Sequence, residues 1–352
     1  MSTKPADRIG WIDAARGLSV LAIVLFHVVI WVYLPGAGQH SNPIQKLWER
    51  QGEILGSIRI PLLLLLSGML VSKKIRNGSG DPKLRYSIAT NYYFYALWLL
   101  VYFLIFIVIQ IQVPHAFHSV GQLVRQLFIP DTTLWYIFAL VVYTVVLGLL
   151  RTVPVAVVLP VSVLGSIAVV VSPLDGLWTK IPENMMFFVL GVYGSRLLFS
   201  AASWVRWWHP VLLCVTAVCA LYTAGRVPWE ILAVSLRLVF KVASAALGLW
   251  VVIFICRSRA ISKPLSALGR RTLPIYVLHA PMLYLWLWAS ETLWTDAYLS
   301  STGSTAWNVL FPVSLTTAVV AASLLLFTVF TKCGLNFLFE APFRPGTKNH
   351  RA

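Results

Sequence analysis

The chain has 352 residues, of which 59% are hydrophobic and only 11% charged, with a mean hydropathy of +0.79. Soluble domains carry about 25% charged residues, so a water-soluble protein is excluded and an integral membrane protein is expected. The net charge of +16 does not point to nucleic acid, because the basic residues sit in short loops between apolar runs and not on one solvated face.

A helix needs roughly 20 apolar residues to cross about 30 Å of hydrocarbon. Ten such runs follow one another at 9–33, 54–72, 86–111, 134–150, 153–171, 184–199, 210–224, 231–256, 272–290 and 307–332. They are apolar all round, as in PLLLLLSGML, and lack the alternation of a membrane barrel. Asp13 and Arg16 interrupt the first run and no clean small-residue cleavage site follows, so it is expected to be a retained helix and not a signal peptide. The predicted fold is an all-α integral membrane protein, a bundle of about ten transmembrane helices. It is read as one membrane domain over 1–352 with no appended soluble domain. Cys214, Cys219, Cys256 and Cys333 lie in or beside apolar runs without ligand spacing, and are expected to be small core residues, with neither a disulfide framework nor a metal site.

Orientation follows from the basic loops. With the N-terminus in the cytoplasm, nineteen Lys and Arg fall on that side, from Lys4 and Arg8 through Lys73, Lys74, Arg151 and Arg257 to Arg344, Lys348 and Arg351, against five outside: Lys46, Arg50, Arg125, Lys180 and Arg226. The acidic residues lean outward, Asp296 among them. Both termini are therefore predicted to be cytoplasmic.

Seven ionisable residues remain inside predicted spans: Asp13, Arg16, His27, Arg59, Arg237, Lys241 and His279. A charge near the membrane centre costs about 3 kcal/mol or more, so such groups are expected to face the bundle interior or a wet cavity and to mark a site. Arg16 and His27 are eleven residues apart, which on a helix places them within roughly 20° of one face and about 16 Å apart along the axis. Asp13 lies one turn below Arg16. An Asp13–Arg16 ion pair and a satisfied core histidine would be the structural explanation. Chemically, histidine is the commonest general base near neutral pH, and a buried arginine suits a phosphate or a developing oxyanion. The 16 Å separation also matches the reach of a pantetheine arm, with a nucleotide at the arginine and a thioester at His27.

These residues resemble the acyltransferase 3 family, membrane O-acyltransferases of bacterial surface glycans and glycolipids. The resemblance rests on Asp13-Ala14-Ala15-Arg16-Gly17 with the Arg-x10-His spacing to His27, and on Arg59-Ile60-Pro61 followed by Ser67-Gly68. It continues through Leu134-Trp135-Tyr136, Phe187-Phe188-Val189-Leu190-Gly191 and Ile275-Tyr276-Val277-Leu278-His279, in family order over nearly the whole chain. Many members open the third helix with two arginines three residues apart; here it reads Lys83-Leu84-Arg85, so only Arg85 carries over.

The resemblance implies transfer of an acyl group, usually acetyl from acetyl-CoA, to a hydroxyl of an envelope glycan, lipid-linked sugar or glycolipid. The setting would be the bacterial inner membrane, and no tightly bound cofactor is implied. His27 would be the base, with Arg16 and Asp13 beside it in the catalytic set. Arg59, Arg85, Arg237, Lys241 and Trp135 are candidates for donor binding, and His279, Tyr276 and Glu183 for supporting roles. Each has a structural counterpart: Arg85 as a loop cation, Arg237 and Lys241 as a pair matched by a buried acid, Trp135 as an interfacial anchor, Glu183 as a solvated rim residue. His279 either orients the His27 cavity or bonds a neighbouring helix. A transporter or flippase of an anionic lipid-linked sugar is the alternative, since intramembrane cations also read such substrates. A scaffold subunit leaves the seven ionisable residues unexplained.

Overall fold

In a computed structural model, residues 10–36, 43–78, 80–110, 113, 115–200, 203, 205–292 and 304–343 are described. Lys4, Arg8, Asp296, Arg344, Lys348 and Arg351 lie outside them. No strand occurs among the described residues. The principal helices are α1 (Gly10–His27), continued by a π-helical turn (Val28–Tyr33), α2 (Pro43–Asn77), α3 (Pro82–Ile109), α4 (Val120–Gln126), α5 (Trp135–Leu149) and α6 (Val155–Val171). They are followed by α7 (Lys180–Tyr193), α8 (His209–Ala224), α9 (Glu230–Ile255), α10 (Arg259–Arg270), α11 (Thr272–Thr292) and α12 (Thr305–Lys332).

Helix ends follow local chemistry. Asp81 caps α3 by accepting from the Lys83 backbone N–H at 2.8 Å, with Pro82 at the first helical position, and Gln110 closes it in the left-handed region at φ 52°. Ser119 and Gln122 form a reciprocal capping box that starts α4. Along α3, Leu100, Leu104, Ile107 and Val108 are exposed while Tyr95, Leu99, Tyr102 and Phe106 are buried. A helix that is apolar on its exposed face as well as its buried one is solvated by lipid, not water.

Each of the ten predicted runs meets a helix, but among the described residues six helices, not ten, are long and apolar enough to cross a membrane: α1 with its π turn, α2, α3, α9, α11 and α12. The remaining runs form α5, α6, α7 and α8, of 15, 17, 14 and 16 residues. At 1.5 Å per residue these measure about 21 to 26 Å, short of a full hydrocarbon thickness. The second run falls inside a 35-residue helix, because the polar stretch from Pro43 to Glu53 continues the same helix. The cysteine expectation fails in part: Cys214, Cys219 and Cys333 are exposed and Cys256 is intermediate, all as free thiols. Cys214 and Cys219 lie on α8, where a small, weakly polar side chain is compatible with lipid, and Cys256 and Cys333 lie in the turns that follow α9 and α12.

The chain folds as two compact units, each from two segments: Met1–Leu66 with Ser200–Leu326, and Ser67–Phe199 with Phe327–Ala352. In the first unit α1 packs against α9, α10 and α11, and α8 packs against α9. In the second, α3 packs on α5, and α7 packs on both α5 and α6. Two close crossings use glycine as small-residue membrane contacts do. A Cβ on Gly17 would overlap the Leu265 carbonyl of α10, and one on Gly269 would overlap the Asp13 backbone. In the second unit a Cβ on Gly68 would overlap the Phe188 carbonyl of α7. The Ser67-Gly68 and Phe-rich blocks are thus partners in one helix contact, and Ser67 also shares a 2.8 Å hydrogen bond with the Tyr136 hydroxyl of the Leu-Trp-Tyr block.

Candidate active site

α1 carries Arg16 and His27 on one uninterrupted helix, so their eleven-residue separation keeps the expected face and an axial distance of about 16 Å. His27 stands at the junction where α1 widens into the π turn, an irregularity common at functional sites. From there it meets His279 of α11, which is completely buried. His279 Nε2 lies 3.3 Å from His27 Nδ1, with ring centroids 5.0 Å apart.

The hydrogen bonds assign the protons. His27 Nδ1 lies 2.9 Å from the Ile23 carbonyl and His279 Nδ1 lies 2.6 Å from the Tyr276 carbonyl. A carbonyl only accepts, so both Nδ1 atoms carry the hydrogen. The neutral His279 ring then presents a lone pair at Nε2, and His27 Nδ1–H divides its hydrogen between that lone pair and the Ile23 oxygen. Nδ1 is thus the donor of His27, and the orientation of the ring is fixed from behind. An imidazole whose Nδ1–H is tied to fixed acceptors keeps one orientation, a property that a general base also needs. Phe26, at 5.2 Å, and Trp31, at 4.5 Å between centroids, flank the imidazole, and Trp31 stacks on Tyr284.

The remaining sequence-predicted residues divide. Tyr276 is buried and contributes its carbonyl to the His279 bond. Asp13 is buried at the α1–α10 crossing. Arg16 is half-buried and forms no ion pair or hydrogen bond among the described residues, so the Asp13–Arg16 pair does not form. Arg59 is 8% exposed, donates from Nη1 to the Gly52 carbonyl at 3.2 Å, and lays its guanidinium 3.8 Å over the Phe26 ring. Contrary to the expectation of an inward cation, Arg237 is exposed, two turns from the start of α9, where a long side chain can keep its charged head in water. Lys241, one turn further, is half-buried. Arg85, Trp135 and Glu183 belong to the second unit. There Arg85 is exposed, Trp135 is half-buried, and Glu183 pairs with Lys180 at 2.9 Å.

The stripe between Arg16 and His27 is filled and not open. Val20 and Ile23, on the same face, have almost no accessible surface, because α1 is packed there within its unit. This face of α1 therefore offers no open path between the two residues. Sequence reasoning missed Phe26, Trp31 and Tyr284; the four-residue spacing of His27 and Trp31 was the available signal for one of them. Among the described residues no cluster of His, Cys, Asp and Glu is arranged to hold a metal.

Neither curated proteins nor solved structures give a significant match to the chain. A family model does: the acyltransferase domain Acyl_transf_3 matches residues 9–332, nearly the full length and including every block that surrounds His27 and His279. The chain belongs to the acyltransferase 3 family, and its long apolar helices make it a membrane acyltransferase.

Proposed function

We propose that the protein transfers an acyl group, in the first instance acetyl, from acyl-CoA to a hydroxyl of an envelope glycan, lipid-linked sugar or glycolipid in the bacterial inner membrane. The observation that carries this reading is the His27–His279 pair. It commits His27 Nδ1–H to fixed acceptors on a helix that also bears Arg16, which supports Nε2 as the atom that does the chemistry. In the reaction, Nε2 takes the acceptor hydroxyl proton as the oxygen attacks the thioester carbonyl. The resulting imidazolium returns that proton to the departing CoA thiolate as the tetrahedral intermediate collapses. His279 Nε2 accepts from His27 Nδ1–H throughout and favours the positive ring. Arg16, about 16 Å away along the helix, is too distant for the reacting carbonyl and suits the phosphates at the nucleotide end of the donor.

The excess of basic residues in alternate loops puts the N-terminus, and with it Arg16, on the cytoplasmic side. The four short helices α5 to α8 are consecutive and even in number. The other six therefore keep one orientation whether or not these four cross fully, and a ten-span arrangement remains our reading. His27 then lies deeper, toward the outer half of the membrane.

The test is acetyl transfer in proteoliposomes from radiolabelled acetyl-CoA to an envelope glycolipid extract, with thiol release measured in parallel. His27→Ala should reduce transfer by at least about 100-fold while retaining donor binding. Unchanged turnover in that variant would remove His27 from the chemistry.

A further inference from the structure

Opposite the catalytic stripe, α1 borders a second feature. Leu18 and His27 are nine residues apart, about 180° around the helix. On the Leu18 side, Leu21, Ala22 and Leu25 line a partly open cavity of about 450 Å³. Its other walls come from α2, α9 and α12, with Ile58, Leu247 and Thr316 among them, and every contributing residue belongs to the first unit. The size is that of a ligand site, and the lining is almost wholly aliphatic.

Four polar side chains break that lining; Thr316 and Thr317 donate to the Pro312 and Val313 carbonyls of their own helix, which leaves two. Arg59 is its single charged residue. It is more than nine-tenths buried, and among the described residues only the Gly52 carbonyl and the Phe26 ring meet a guanidinium with five N–H donors. Glu49 and Glu53 line a different crevice, along Phe26 and Gly52, and neither forms an ion pair with Arg59. Ser19 is the second group: it is 2% exposed, lines the same cavity, and its Oγ has no hydrogen-bond partner among the described residues. A buried cation without an acid and a buried hydroxyl without an acceptor both call for oxygen atoms from a ligand.

We propose that this cavity binds a phosphate-bearing lipid. The phosphate would sit on Arg59, an ester carbonyl would accept from Ser19 Oγ–H, and one hydrocarbon chain would lie among the leucines. Guanidinium and phosphate match in charge and in planar donor geometry, and an aliphatic wall about 10 Å long, from Leu18 to Leu25, favours a chain over a soluble anion. The site lies on the face of α1 turned away from His27 and does not depend on the transfer reaction.

Two photoactivatable probes that differ only in the phosphate test it: a diazirine-bearing lysophosphatidate and the corresponding monoacylglycerol, each in phosphatidylcholine nanodiscs with the full chain. The lysophosphatidate should label peptides containing Leu18–Leu25 and Val313–Thr317 about tenfold or more over the neutral probe. Arg59→Gln should erase that preference and leave neutral labelling in place, Arg59→Lys should keep part of it, and Ala22→Phe should suppress both probes by filling the cavity. Thermal unfolding of each variant confirms the fold. Equal labelling by the two probes, or a preference that survives Arg59→Gln, overturns the proposal. Displacement of the lysophosphatidate by inorganic phosphate alone also overturns it, by making this a free-anion site. Labelling needs no turnover, so failure here and failure of the His27 chemistry are separate results.

Discussion

His279 Nε2 lies 3.3 Å from His27 Nδ1 and can only accept, because its own Nδ1–H is committed to the Tyr276 carbonyl. Two residues 252 positions apart thus form one unit, in which the second orients the first. In the proposed transfer reaction that makes His279 a positioning residue, which variants test. His279→Leu should lower kcat by about tenfold or more with little change in KM for the donor. His279→Gln, whose amide oxygen still accepts from Nδ1–H, should recover part of the loss. A rise in KM with kcat preserved would mean that the buried ring serves packing only.

Arg16 is expected to read the donor and not the acceptor. In detergent-purified protein, acetyl-CoA at 100 times its Kd should stabilise the parent and His27→Ala by about 2.7 kcal/mol, and Arg16→Ala should respond weakly or not at all. A full response in Arg16→Ala would place the donor's charged end elsewhere.

The glycine crossings make a prediction about stability. Gly17→Val and Gly269→Val each force a side chain into the facing backbone at the α1–α10 contact, and Gly68→Val does the same at α7. Each should cost about 1 to 3 kcal/mol or more, read as a lowered unfolding temperature. Gly121→Val, at a glycine whose Cβ meets nothing within 4 Å, is the control and should be nearly neutral.

Asp81 gives a pH dependence outside the spans. Its hydrogen bond from Asn77, then the Lys83 N–H, hold its carboxyl below the ordinary value. The folded form therefore gains from the ionised cap above the ordinary aspartate pKa of about 4, and loses that gain as pH falls through the lower folded value. Amide exchange over the first turn of α3 should accelerate on acidification through that window in the parent. In Asp81→Ala it should already be fast at neutral pH and lack the acid step.

The apolar runs, the loop charges and the Arg-x10-His spacing were legible in the sequence because they depend on neighbours along the chain. Helix periodicity alone puts Arg16 and His27 on one face. That argument could not tell that Val20 and Ile23 fill the face between them, since packing density depends on helices far away in sequence. The same limit applies to charge. Arg59, Arg237 and Lys241 looked alike as intramembrane cations, yet one is buried beside Phe26, one is exposed and one is half-buried.

By itself the sequence determined the helical membrane class, the family blocks and the candidate base, because hydropathy, periodicity and spacing are one-dimensional properties. Only the tertiary structure decided that Nδ1 of His27 meets the Ile23 carbonyl and His279. It also decided that Gly68 serves the Phe-rich helix, and that Arg59 and Ser19 line a cavity turned away from the catalytic stripe. The reason is the same in each case. Hydrogen-bond acceptors, close backbone approaches and cavities are set by side chains that meet across helices, and the order of residues along one helix does not contain them.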